Sequence, residues 1–156
     1  MTATDATGED APFRFRLAIT GPGEAASQAA AVNRRLAGFL AGGPAAGEDA
    51  HALQVAVEEL LTNLGKFGLP AAPGAAVQVE GSIAVQADGA TLTIVDDGPA
   101  FDPTGAPAPD LSPRALLERP PGGLGLCMLR QLFGQVAYRR EDGRNKAVWR
   151  RRTPHA

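Results

Sequence analysis

Gly122-Gly123-Leu124-Gly125-Leu126 (GGLGL) runs straight into LCMLRQLF at 126–133, an apolar segment with helical spacing. A glycine loop that feeds a helix presents unpaired backbone N–H groups and the positive end of the helix dipole, a setting that suits a polyphosphate. Glycine pairs before helices also occur simply as tight turns, so the loop takes its meaning from what precedes it. Two segments matter there: AVEELLTNLGKFG at 56–68 and TLTIVDDGPAFDP at 91–103.

Working outward, strands and helices alternate. FRFRLAIT (13–20) sets Phe13, Phe15, Leu17 and Ile19 on one side and Arg14 and Arg16 on the other, which predicts a half-buried strand. After a break at Gly21 to Gly23, EAASQAAAVNRRLAGFLA (24–41) predicts a helix with Ala29, Val32, Leu36, Phe39 and Leu40 on its buried stripe. The loop GGPAAGED (42–49) gives an acidic start to a second helix, roughly 50–67, with Leu53, Val57, Leu60, Leu61 and Leu64 inward. Beyond the breaker at 68–74, strands at 76–88 and 90–96 are joined by Asp88-Gly89, a strong hairpin signal. A third helix, 124–133, follows the glycine loop, and two last strands, QVAYRR (135–140) and KAVWRRR (146–152), flank the turn EDGRN. The expected architecture is α+β: a two-layer α/β sandwich with a mixed, mostly antiparallel sheet of about five strands and three helices on one face.

Between the acidic turn and the glycine loop lies the longest irregular stretch, 98–121, with seven of the thirteen prolines and only a short helical segment around 114–118. A stretch of that length within a compact domain is usually functional or disordered, and this position predicts a movable lid over a ligand.

Composition narrows the class. With 156 residues, 44% of them hydrophobic, the chain can bury one core but not two, so 12–153 reads as a single domain after a disordered tail over 1–11. A net charge of −2 gives no global drive toward nucleic acid or an anionic membrane. No apolar run is long enough to span a bilayer and MTATDATGEDAP is polar, which predicts a cytoplasmic protein without a membrane partner. The lone Cys127 excludes an internal disulfide and reads as a core filler.

Glu59 and Asn63, four apart, share a helix face away from the apolar stripe, although surface helices carry such pairs constantly. Asp96 ends a buried-looking strand just ahead of Gly98. A carboxylate there can accept a hydrogen bond from an amine on a flat ligand, while glycine permits close backbone approach; an ordinary strand-ending turn looks the same.

The three segments in this order resemble the GHKL ATP-binding superfamily, and within it the anti-sigma factor serine/threonine kinases and short histidine-kinase-like ATPase domains. The ordered combination of ExxxN, DxG followed by FDP, and GGLGL carries the resemblance, which extends from the first strand to GRNKAVWRR. It implies the Bergerat-type ATP-binding fold, a two-layer α/β sandwich, with ATP and Mg²⁺ as cofactors. It further implies that Asn63 ligands Mg²⁺, that Glu59 is the general base for an acceptor hydroxyl, and that Asp96 binds the adenine amino group with Gly98 and Phe101 beside the nucleotide. Gly122, Gly123, Leu124, Gly125 and Leu126 become the lid hinge and phosphate loop. Arg119 is the nearest lid arginine for the terminal phosphate, although Pro120 and Pro121 separate it from the glycines. Lys66, one turn after Asn63, can reach phosphate or simply stand at an exposed helix end. The chain departs from the pattern in carrying Ala100 before Phe101, and Phe67 where relatives have histidine or tyrosine. His51 and His155 match no motif, and without a phospho-acceptor histidine helix a complete two-component sensor is not expected.

Two functions from different classes follow from the resemblance. One is an anti-sigma regulatory factor that phosphorylates a serine or threonine of an anti-sigma-factor antagonist while sequestering a sigma factor, thereby regulating transcription. The other is an ATP-binding regulatory module that controls partner affinity without phosphotransfer. Nucleic-acid binding through Arg139, Arg140, Arg144, Arg150, Arg151 and Arg152 is set against a solvated sheet edge, the commoner arrangement. The apolar first strand and helix would serve a homodimer interface or a monomer's core equally well.

Overall fold

Phe13, Phe15 and Ile19 of β1 (Phe13–Ile19) are buried and Arg14 and Arg16 exposed, the alternation that the sequence predicts. The structure, a computed structural model, describes residues 11–43, 47–104, 112–118 and 124–153. Residues 1–10 of the expected tail, 105–111 and 119–121 of the expected lid, and 122–123 of the glycine loop lie outside them.

Helices α1 (Pro22–Ala41) and α2 (Gly47–Phe67) form an antiparallel hairpin between β1 and β2 (Val77–Gln86). Ala25, Ala29, Val32, Leu36 and Leu40 make the buried stripe of α1. Phe39, expected on it, lies at its margin, with its ring 5.6 Å from that of Phe13. The buried face of α2 comprises Ala52, Leu53, Ala56, Val57, Leu61 and Gly65, with Leu60 and Leu64 only partly covered. This face is wider and richer in small residues than the leucine stripe predicts, because α2 packs against α1 as well as the sheet. A Cβ on Gly65 would stand 2.5 Å from the Ala25 Cβ and 3.0 Å from the Gly21 carbonyl oxygen, so glycine is what lets the two helices approach.

β3 (Gly89–Asp96) pairs with β2 through the turn at Asp88-Gly89. The chain then passes through α3 (Pro113–Glu118) and α4 (Leu124–Phe133) to β4 (Gln135–Glu141) and β5 (Arg144–Arg152). Sheet order is β1-β2-β3-β5-β4, and every neighbouring pair is antiparallel. The sheet is therefore antiparallel throughout rather than mixed. β4 does run parallel to β3, but β5 folds back into the gap between them and separates the one pair that would have been parallel. Four helices, rather than three, lie among the described residues, the additional one being the single short α3.

Leu92 and Ile94 of β3, Val79 and Ile83 of β2, and Trp149 of β5 are buried against Leu53, Val57 and Leu61 of α2 and Leu129 and Phe133 of α4 in one core. Trp149 meets Phe133 edge to face, with centroids 6.2 Å apart. A second tie is polar. Asp49, 2% exposed at the start of α2, accepts from Arg151 Nε (2.6 Å) and Thr153 Oγ1 (2.6 Å), while Arg151 Nη1 donates to the Leu132 carbonyl (2.6 Å). Arg151 is thus no part of a solvated edge: it clamps α2 and α4 to the end of β5, and the buried Asp49 carboxylate and the half-buried guanidinium are both hydrogen-bonded.

No helix among the described residues is long and apolar enough to cross a membrane.

Candidate functional site

β3 ends at Asp96, 7% exposed, and the chain turns there over Gly98. Asp96 Oδ1 accepts from the Gly98 N–H (3.0 Å) and from Asn145 Nδ2 (3.0 Å). Among the described residues Oδ2 has no donor, so the outer oxygen of the carboxylate is the free acceptor. A Cβ on Gly98 would lie 2.6 Å from the Gly68 carbonyl oxygen and 3.3 Å from Val77 Cγ2, so the turn is packed onto the end of α2 in a way only glycine allows. Asp97 points away and locks the turn to β2, accepting from the Gln78 N–H at 2.7 Å.

Burial pushes the Asp96 carboxyl above its ordinary value; the Asn145 amide, the Gly98 N–H and the Arg140 charge pull it back, and neighbouring Asp97 pushes it up further. A carboxylate with a raised folded-state value binds its proton more tightly folded than unfolded. Its contribution to stability therefore falls as pH rises from the ordinary value to the raised one, and the penalty persists above. Asp96→Asn is expected to raise the thermal midpoint at neutral pH, with the gain over the parent disappearing as both become uncharged in acid. The same change replaces the free acceptor by a donor; with Asp96 as the acceptor for a ligand amine, as the family resemblance implies, affinity should fall by about 10- to 150-fold, the equivalent of one hydrogen bond to a charged group. Thermal scans across pH, run beside a nucleotide titration, check both halves.

Asn145, which sequence reading missed, fixes the turn from the other side. It is 5% exposed and lies opposite Asp96 in the β3–β5 register. Arg140, exposed on the edge strand as expected, reaches the same turn, Nη1 donating to the Gly98 carbonyl (3.0 Å) and to Asn145 Oδ1 (2.9 Å). One signal was available: asparagine is disfavoured in strands, yet here it sits in the register of inward-facing Ala147 and Trp149.

Glu59 and Asn63 are both half-buried, one turn apart on α2. The Glu59 carboxylate lies against the start of α4, where a Cβ on Gly125 would sit 2.0 Å from Oε2 and 2.8 Å from Cδ. Tertiary packing thus brings a residue of the first motif onto the glycine motif. The Asn63 amide makes no hydrogen bond among the described residues. Lys66 is exposed in the last turn of α2, Phe67 is 67% exposed, and Phe101 is 56% exposed beyond the Asp96 turn, its N–H donating to Asn145 Oδ1 at 3.3 Å. Past Phe101 the chain is held at Thr104, whose N–H and hydroxyl donate to Asp102 Oδ1 (2.8 and 2.6 Å) and whose carbonyl accepts from Arg130 of α4 (3.0 Å). Leu126 is half-buried on α4, and the backbone of Leu124 begins that helix. Arg119, Gly122 and Gly123 fall outside the described residues. A groove of about 470 Å³ lined by Thr104, Arg130, Val136, Val148 and Arg150, among others, includes none of the predicted site residues.

A two-layer sandwich with a pinned acidic turn at the end of one strand, facing an ExxxN helix that meets a glycine-led helix, defines a class of ATP-binding domain. The profile of the histidine kinase-like ATPase domain matches residues 22–150, and the chain belongs to that family. Among curated proteins it is similar to the serine/threonine-protein kinase BtrW of Bordetella bronchiseptica, with 44% identity over 55 residues. That stretch covers 35% of this chain and 38% of BtrW.

Proposed function

We propose that the chain binds Mg-ATP between α2, the Asp96 turn and the start of α4, and transfers the terminal phosphate to a serine or threonine of an anti-sigma-factor antagonist in a partner-switching pathway. Support comes from family membership, from the name of the relative BtrW, and above all from the Glu59 carboxylate lying against Gly125 at the head of α4. A carboxylate beside a glycine loop that takes phosphate is in the position a base needs to meet an incoming hydroxyl.

In this reading Asp96 Oδ2 accepts a hydrogen bond from the adenine amino group, Gly98 admits the ring, and Phe101 covers its exposed side. The segment 98–121 acts as a lid hinged at Gly122 to Leu126, whose N–H groups hold phosphate oxygens. Arg119 and Lys66 add positive charge to the terminal phosphate. Glu59 takes the proton of the acceptor hydroxyl as its oxygen bonds to the terminal phosphorus and the bond to the ADP oxygen breaks. No cluster of three metal-ligating side chains is found among the described residues, but Asn63, with its amide not otherwise engaged, is the kind of single oxygen donor that Mg²⁺ takes when phosphate and water fill its shell. Bound there, Mg²⁺ would neutralise phosphate charge.

A second reading has its own observation. Phe67, exposed at the position where the family resemblance implies histidine or tyrosine, lacks a polar group to offer the phosphates. ATP occupancy would then set partner affinity without transfer. Calorimetric titration with ATP, with and without Mg²⁺, tests the common ground: saturable, metal-dependent binding is expected. No heat at millimolar ATP would overturn both readings.

A further inference from the structure

Asn145 uses both ends of a buried amide. Its Nδ2 donates to Asp96 Oδ1 (3.0 Å) and to the Pro99 carbonyl (2.8 Å), with the Gly98 carbonyl at 3.4 Å. Its Oδ1 accepts from the Tyr138 hydroxyl (2.6 Å), Arg140 Nη1 (2.9 Å) and the Phe101 N–H (3.3 Å). Only one orientation of the amide satisfies these partners, since a flipped amide would turn its NH₂ toward the Phe101 N–H and the Arg140 guanidinium, both obligate donors, and its oxygen toward a carboxylate and carbonyls.

Resting on the reading of this site as a nucleotide site, we infer that Asn145 is a positioning residue for base specificity. It holds the Asp96 carboxylate in the plane that presents Oδ2 to a purine carrying an exocyclic amine, and it holds the 98–101 turn at the matching height. The torsion that swings a carboxylate is broad, and a single hydrogen bond leaves it free to rock. Two donors on the same oxygen, one from the turn backbone and one from β5, fix the plane. Tyr138 and Arg140, both on β4, fix the amide in turn, so the base reader is braced from the edge of the sheet. A fixed, desolvated acceptor favours an amine. It disfavours a base with a carbonyl at that position, because two acceptors then face one another unpaired.

The test is calorimetry of the full chain with Mg-ATP and with Mg-ITP, whose base carries a carbonyl in place of the amine. The parent should bind ATP at least about tenfold more tightly than ITP. Asn145→Ser should weaken ATP binding and leave ITP within about twofold, so that the preference falls at least about fivefold. A merely structural role would weaken both nucleotides alike, and that result overturns the inference, as does a preference left intact. Arg140→Met, at an exposed position, guards against a serine variant that fails to fold. With its thermal midpoint retained, its preference should fall by about two- to threefold. An unchanged preference in that folded variant also overturns the inference. A parent that binds both nucleotides equally defeats base reading alone, whereas a parent that binds neither defeats the nucleotide site itself.

Discussion

Glu59→Gln is expected to slow phosphate transfer by about 10²- to 10⁴-fold, the usual contribution of a positioned general base, while ATP affinity changes by less than about twofold. The two side chains have the same shape, so glutamine still fills the space over Gly125 and the contact between α2 and α4 survives. Glu59 makes no ion pair among the described residues, so no partner charge is stranded by the change. What glutamine cannot do is accept the proton. The measurement is single-turnover transfer of labelled terminal phosphate to an anti-sigma-factor antagonist, the proposed acceptor, with ATP binding followed separately. Transfer at the parental rate would remove Glu59 from the chemistry. No transfer in the parent itself, with metal-dependent ATP binding intact, would favour the regulatory module.

Asn63→Ala should reduce Mg-dependent ATP affinity by more than about 100-fold, since even outer-shell partners of bound metals are worth about 10- to 100-fold and Asn63 is proposed as a direct ligand. The same truncation should leave stability within about 0.5 kcal/mol, because the amide has no hydrogen-bond partner among the described residues to leave unpaired. Titration with ATP in Mg²⁺ and in chelator, beside thermal unfolding without nucleotide, separates the outcomes. Loss of affinity with an unchanged midpoint supports metal ligation. A lowered midpoint with binding retained would make Asn63 a structural residue.

Much of the fold was legible because its signals are local. The alternation at 13–19, the apolar spacing of the two long helices and the Asp88-Gly89 turn each specify an element without reference to the rest of the chain. Local signals fall short where a face has two neighbours. A single apolar stripe predicts too narrow a buried face for α2, because α2 is buried by α1 and by the sheet together. The arginine-rich end is largely the solvated edge that its sequence predicts, with Arg139, Arg140, Arg144, Arg150 and Arg152 exposed; Arg151 is the exception, because its acceptors lie on α2 and α4.

For the candidate site, local sequence is enough to place the residue types on their elements: a carboxylate and an amide one helical turn apart, an acid at a strand end, and glycines before a helix. Which of them meet depends on how those elements pack. Glu59 faces Gly125, and Asp96 is braced by Asn145 and not by anything near it in the chain. The physical reason lies in β5, which inserts between β3 and β4 and carries a strand-interior asparagine to the end of β3. Pairing across a sheet is set by topology and register, and no spacing within a single segment encodes it.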